Sequence, residues 1–120
     1  MKLVVAYILP DCLNRVIDGL SDHHVRRLTV TEVKGFSHDQ DPTHPDLREY
    51  IGLERTRRLR AEIPCQDSEV EGILQAVYAA AHVGQRGVGR VLVLPVEDAL
   101  RLRTGERGPA ALPQEPNQPS

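Results

Sequence analysis

The sequence predicts an α+β, ferredoxin-like βαββαβ sandwich with both helices on one sheet face, and three observations carry that reading. Apolar strand-like runs and two amphipathic stretches follow one another as strand, helix, strand, strand, helix, strand. A long polar insertion separates the second strand from the third. The hydrophobic fraction is 40% with one Phe, three Tyr and no Trp, so the core is built from Val, Leu, Ile and Ala. At 120 residues the chain is one domain and buries roughly two-thirds of its unfolded surface.

Residues 3–9 are a continuous apolar run stopped by Pro10, the pattern of a central strand buried on both faces. Asp11 is expected to cap the helix that follows, where Leu13, Val16, Ile17 and Leu20 share one face. His23 and His24 end it. Adjacent helical positions point about 100° apart, and no thiol or carboxylate joins them at ligand spacing, so no metal is assigned there. Residues 25–36, with Leu28, Val30 and Val33 among threonines, suit a second strand.

The pattern then stops. Residues 37–54 are polar, contain two prolines, and are too long for a structural turn, which marks a functional loop. Within it, His38 and His44 have no matched ligand spacing and are expected in solvent. Arg55, Arg57, Arg58 and Arg60 lead into a third strand ending at Cys65. That strand has no aromatic residue on which a base could stack, and the net charge of −2 gives no attraction to nucleic acid or acidic lipid. The basic run is expected as a solvated strand face or as a loop base that meets an acid, and Pro64 must lie near the strand's end or on an edge. Asp67 and Ser68 open the second helix, whose apolar face is Val70, Ile73, Leu74, Val77 and Ala81; Glu69 and Glu71 suit its dipole.

Gly84 ends that helix and begins an anion site in two parts. Glycines at 84, 87 and 89 let successive backbone N–H groups turn inward, with Arg90 at the lip. Residues 91–94 form the fourth strand, and a short turn over 95–100 leads to Arg101 and Arg103. Two apart in extended chain, both guanidinium groups would leave the same face and grip one polyphosphate. Residues 109–120, with four prolines, are expected to be disordered. Cys12 and Cys65 form no disulfide framework and are expected reduced and half-buried. The first ten residues are too short an apolar run to span a bilayer and lack a cleavage site, so a cytoplasmic protein with no direct membrane insertion is expected.

These segments resemble the PII signal-transduction (nitrogen regulatory protein P-II) family. Thr29-Val30-Thr31-Glu32-Val33-Lys34-Gly35-Phe36 matches its strongest signature, and the glycine-rich loop, short strand and Arg101-Leu102-Arg103-Thr104-Gly105-Glu106 occur in its order. The resemblance implies a homotrimer, residues 1–108 as the family domain, a T-loop at 37–54 that docks on a target protein, a B-loop at 83–90 and a C-loop at 101–108. ATP or ADP would lie in clefts between subunits, the B-loop of one facing the C-loop of the next. Gly87, Val88, Gly89, Arg90, Arg101 and Arg103 would then touch phosphates, with Ser37, His38 and Pro64 near ribose and base, and Thr29 at a neighbour's adenine. Val88 stands where the family commonly has Asp, which leaves backbone contacts and removes some loop ordering.

The co-effector is an open expectation. Family members that sense 2-oxoglutarate hold Mg²⁺ with an early loop glutamine and pair the acid with a lysine; here those positions are Asp39, with Gln40 beside it, and Arg58. An arginine fork is not interchangeable with an ammonium point charge, and the charge of Asp39 would repel a dicarboxylate. The uridylylated tyrosine of many relatives aligns with Ile51, and Tyr50 is the neighbouring candidate for modification. The leading expectation is a non-catalytic regulator in nitrogen metabolism. Its rivals are a divergent relative that senses another nucleotide or small anion and regulates a transporter or other process, and a small phosphotransfer or hydrolytic enzyme whose base would be Glu62, Glu97 or Glu106.

Overall fold

The computed structural model describes residues 1–35, 57–82 and 89–112. Along these the chain forms β1 (Lys2–Ile8), α1 (Leu13–Asp22), β2 (Thr29–Lys34), β3 (Arg57–Cys65), α2 (Val70–Ala81) and β4 (Val91–Pro95), the βαββαβ order expected. The sheet order is β2-β3-β1-β4 with every neighbouring pair antiparallel. β1 and β2 therefore run the same way on either side of β3, and β3 and β4 on either side of β1.

Register decides which residues meet the helices. Val4 pairs with Ile63, Ala6 with Ala61 and Val91, and Ile8 with Leu59. With Val16 and Leu20 of α1 and Ile73 and Val77 of α2, these residues make one core, aliphatic as the composition requires. The helices approach closely where Gly19 faces Ala76; a Cβ on Gly19 would lie 3.4 Å from the Ala76 carbonyl oxygen. Period-2 alternation places Leu3, Val5, Tyr7, Arg58, Arg60, Glu62 and Pro64 on the other face, with Thr29, Thr31 and Leu92 beside them.

Helix ends depart from expectation in two places, at Asp11 and Asp67, while α1 ends at the histidine pair as expected. Asp11 makes no cap, because Pro10 starts a 3-10 turn over Pro10–Cys12 and that turn's first N–H is the one proline lacks. Asp67 is not the second helix's cap: its carboxylate takes the Met1 ammonium at 2.8 Å, while Gln66 and Glu69 form a capping box around the 3-10 turn Asp67–Glu69. At the end of α1, His24 adopts φ 64°, with its N–H on the Ser21 carbonyl and the Val25 N–H on the Leu20 carbonyl, both at 2.9 Å. That is a Schellman closure, with Leu20 and Val25 both in the core.

Two further expectations change. Cys12 and Cys65 are fully buried, not half-buried, and burial pushes the Cys65 thiol above its ordinary range, with Glu69 adding to the effect. The start of the presumed tail is ordered: Gly108–Ala111 is a 3-10 turn and Leu112 is 7% exposed, so the apolar Leu112 finds a seat despite the prolines around it. Residues 113–120 lie outside the described residues. Among the described residues no helix is long and apolar enough to cross a membrane.

Candidate functional site

Gly89 and Arg90 enter β4 against the end of β1. Gly89 has φ 127°, and a Cβ there would lie 1.7 Å from the Tyr7 carbonyl oxygen. Only glycine fits, both for its conformation and for the backbone approach. The Tyr7 N–H donates to the Arg90 carbonyl at 2.9 Å, which fixes the loop's exit, and the Arg90 residue is exposed. Beside it, under α2, a cavity of about 390 Å³ is lined mainly by Ile8, Leu74, Val77 and Tyr78, with His82 stacked on Tyr78 at 4.6 Å.

Arg101 and Arg103 do not stand in extended chain. Leu100 bridges to Arg107, residues 102–104 turn, and the Gly105 N–H donates to the Arg101 carbonyl at 2.7 Å, so 101–107 is a tight hairpin. A single carboxylate and a backbone carbonyl hold Arg101: one guanidinium nitrogen is 3.1 Å from the Glu106 carboxylate, and another donates to the Leu112 carbonyl at 3.2 Å. Asp98 closes the base of the hairpin. It accepts from the Arg107 guanidinium and from the Gly108 N–H, and the first of these holds its carboxyl below the usual carboxylate range.

Thr29 sits across from Glu62 on the open sheet face, and Pro64 lies two residues further along the same face. β2 pairing ends at Glu62, and the Pro64 carbonyl instead accepts from Nε and a terminal nitrogen of Arg27 at 3.1 and 3.0 Å. In a strand a residue's N–H and C=O point the same way, so the donor proline lacks would face this unpaired edge. Arg27 also bonds Glu69 at 2.8 Å, tying the Thr29 end of β2 to the α2 cap. Arg27 carried no motif in the sequence; its partner Glu69, the acid of the capping box, is half-buried and takes the cation.

The basic run divides by register. Arg57 pairs with Glu32 at 2.7 Å on the exposed surface. Arg60 lies 5.9 Å from the Tyr7 ring centroid and 3.4 Å from Glu62. Arg58 is 8% exposed and donates to the Arg57 carbonyl at 2.8 Å, and burial draws its pKa down. Ser37, His38, Asp39, Gln40, Tyr50, Gly87 and Val88 lie outside the described residues. Among the described residues, no three His, Cys, Asp or Glu side chains gather where a metal ion could sit.

β4 separates the two halves of the anion site. Val91 pairs with Ala6 at one end of β1, and Pro95 pairs with Lys2 at the other. Gly89 and Arg90 thus precede one end of a five-residue strand, and Arg101 and Arg103 follow the opposite end, about 16 Å of strand apart. By register Thr29 is level with Leu92, one residue from the first end, and Pro64 is level with Leu94, toward the second. In one chain Gly89–Arg90 and the arginine hairpin lie at opposite ends of β4.

A family model described as nitrogen regulatory protein P-II matches residues 1–106. A relative of that name from Azospirillum brasilense is 36% identical over 115 residues, covering 93% of this chain and all of that protein. One from Rhodospirillum rubrum is 35% identical over 115 residues with the same coverage. A third, from Nostoc punctiforme, is 33% identical over 112 residues, again 93% of this chain and all of the relative.

Proposed function

The chain belongs to the nitrogen regulatory protein P-II family, and from that premise we propose that it is a non-catalytic signal-transduction regulator in nitrogen metabolism. It binds ATP or ADP between the subunits of a homotrimer and controls a target protein through the loop at 37–54. The observation that carries this reading is the separation of Gly89–Arg90 from Arg101–Arg103 by the length of β4. Two halves of one phosphate site that lie at opposite ends of a strand meet only when a second copy supplies the missing half.

The surface beside them suits such a neighbour. β4 is an edge strand, and Leu92, Val93 and Leu94 are 40 to 44% exposed along it. The open sheet face carries Leu3 and Leu92 at one side and Arg60 and Glu62 at the other. Cyclic closure by three copies would cover this face and bring each Arg90 to a neighbour's Arg101 and Arg103. Four charge-assisted contacts of roughly 1.5–3 kcal/mol each, less an association cost of about 4 kcal/mol or more, plus base burial, give micromolar binding. That range suits a sensor of cellular nucleotide. Bound nucleotide then orders the loop at 37–54, which binds or releases the target.

Subunit mixing tests the shared cleft. An Arg90→Ala chain and an Arg101→Ala/Arg103→Ala chain each lose ATP binding alone. Unfolded and reassembled together in equal amounts, they regain about a quarter of the clefts, those that draw both halves from intact loops. No recovery in mixed assemblies, with each variant correctly assembled, would refute the shared site. In the intact protein, ATP changes protease cleavage within 37–54; an unchanged pattern would remove the switching step.

Arg58 favours a second reading alongside the first. It stands where 2-oxoglutarate-sensing relatives have a lysine, and its guanidinium donates to the Arg57 carbonyl at 2.8 Å. This suits a relative that answers to adenylate, another nucleotide or a small anion without 2-oxoglutarate, and that governs a process outside nitrogen metabolism such as a transporter. Strong Mg-ATP-dependent binding of 2-oxoglutarate would exclude it.

A further inference from the structure

We propose that Glu106 and the Leu112 carbonyl are built-in competitors for the phosphate site: they hold the Arg101 guanidinium, and a bound polyphosphate must displace them. The inference rests on the nucleotide reading above and adds a regulator to that site.

The Arg101 side chain is 18% exposed and already carries two oxygen partners of the kinds a phosphate would offer. The Glu106 carboxylate lies at 3.1 Å and the Leu112 carbonyl at 3.2 Å. The carboxylate is set in place before any ligand arrives. The Thr104 hydroxyl donates to the same Glu106 oxygen at 2.9 Å, and the Glu106 N–H donates to that hydroxyl at 3.2 Å. The Leu112 carbonyl is equally fixed, because its residue is buried and the 3-10 turn before it is tied down by Gln66 Nε2, which donates to the Pro109 carbonyl at 3.0 Å. Gln66 belongs to the capping box of α2, so the seat of that turn is part of the folded body.

A ligand that reaches Arg101 must therefore exchange with a held anion and a held carbonyl. A triphosphate brings more charge to that exchange than a diphosphate, and a monophosphate less still. The displacement is the same for all three, so the latch weakens each by the same factor and leaves their order to the charge each brings. Exchange also unseats residues 109–112, and nucleotide binding is thereby linked to release of that turn.

The test is calorimetric titration of ATP and ADP into the full chain carrying Glu106→Gln or Leu112→Ser, each alone and combined with Arg101→Ala. The pair is partly exposed, so each single variant tightens ATP and ADP alike, about five-fold. In the Arg101→Ala background Glu106→Gln brings no gain. Unchanged or weaker ATP binding in Glu106→Gln, with fold and assembly intact by circular dichroism and light scattering, would overturn the latch and make Glu106 a positioning residue. Leu112→Ser reports on the carbonyl separately. Failure of the unmodified chain to bind ATP would instead remove the nucleotide reading, and the inference with it.

Discussion

At the scale of single residues, backbone conformation explains two positions that composition leaves ambiguous. Gly89 was legible as one of three closely spaced glycines, but its partner was not, since nothing in the sequence places the Tyr7 carbonyl against it. Because a Cβ would enter that oxygen, Gly89→Ala must shift β1 or the loop exit. The substitution is expected to destabilise the protein by about 2 kcal/mol or more and to abolish ATP binding, read by urea denaturation and calorimetry. His24 is the converse case. A left-handed conformation costs a non-glycine residue about 1–2 kcal/mol, so His24→Gly should stabilise the protein by about 1 kcal/mol and raise its melting temperature. A fall in stability would show that the imidazole has a role the closure of α1 does not require. The histidine pair thus marks a helix end, which spacing alone suggested and geometry explains.

At the scale of elements, every strand and helix was legible because each carries its own periodicity, while junctions were read less well. A cap depends on which side chain reaches the first amides: Asp67 was the obvious candidate, but the chain's own ammonium took it and left the cap to Gln66 and Glu69. The arginine pair shows the same limit. Two residues apart means one face only in extended chain, and Gly105 with φ 78° permits a turn instead. That hairpin has a pH dependence of definite sign. The folded-state pKa of Asp98 is depressed, chiefly by its hydrogen bond to Arg107, so its contribution is present above the unfolded carboxyl value of about 4 and lost as pH falls through the folded value. The protection factor of the Ala99 amide, which donates to Asp98 at 2.8 Å, should therefore fall on acidification below about pH 4. Asp98→Asn should show that lower protection already at neutral pH; equal and undiminished protection in both proteins across the pH range would deny the carboxylate this part.

At the scale of the whole molecule, placement decides what local pattern could not. The glycine loop, the arginines and the signature beginning at Thr29 were all legible as motifs, and the family to which the chain belongs follows from them. That the two halves of the proposed phosphate site lie at opposite ends of β4 was not legible, because it depends on the pairing of Val91 with Ala6 and of Pro95 with Lys2. The same register leaves an apolar edge along β4, and on the proposed reading assembly becomes a condition of function. The claim to test most directly is that the assembled protein binds adenine nucleotide at this site. Calorimetric titration of ATP with Mg²⁺, run in parallel without and with 2-oxoglutarate, does so. The account predicts micromolar binding in both titrations, one nucleotide per subunit, lost when Arg101 and Arg103 become alanine. Absence of ATP binding in both titrations, by a protein shown to be assembled, would contradict it.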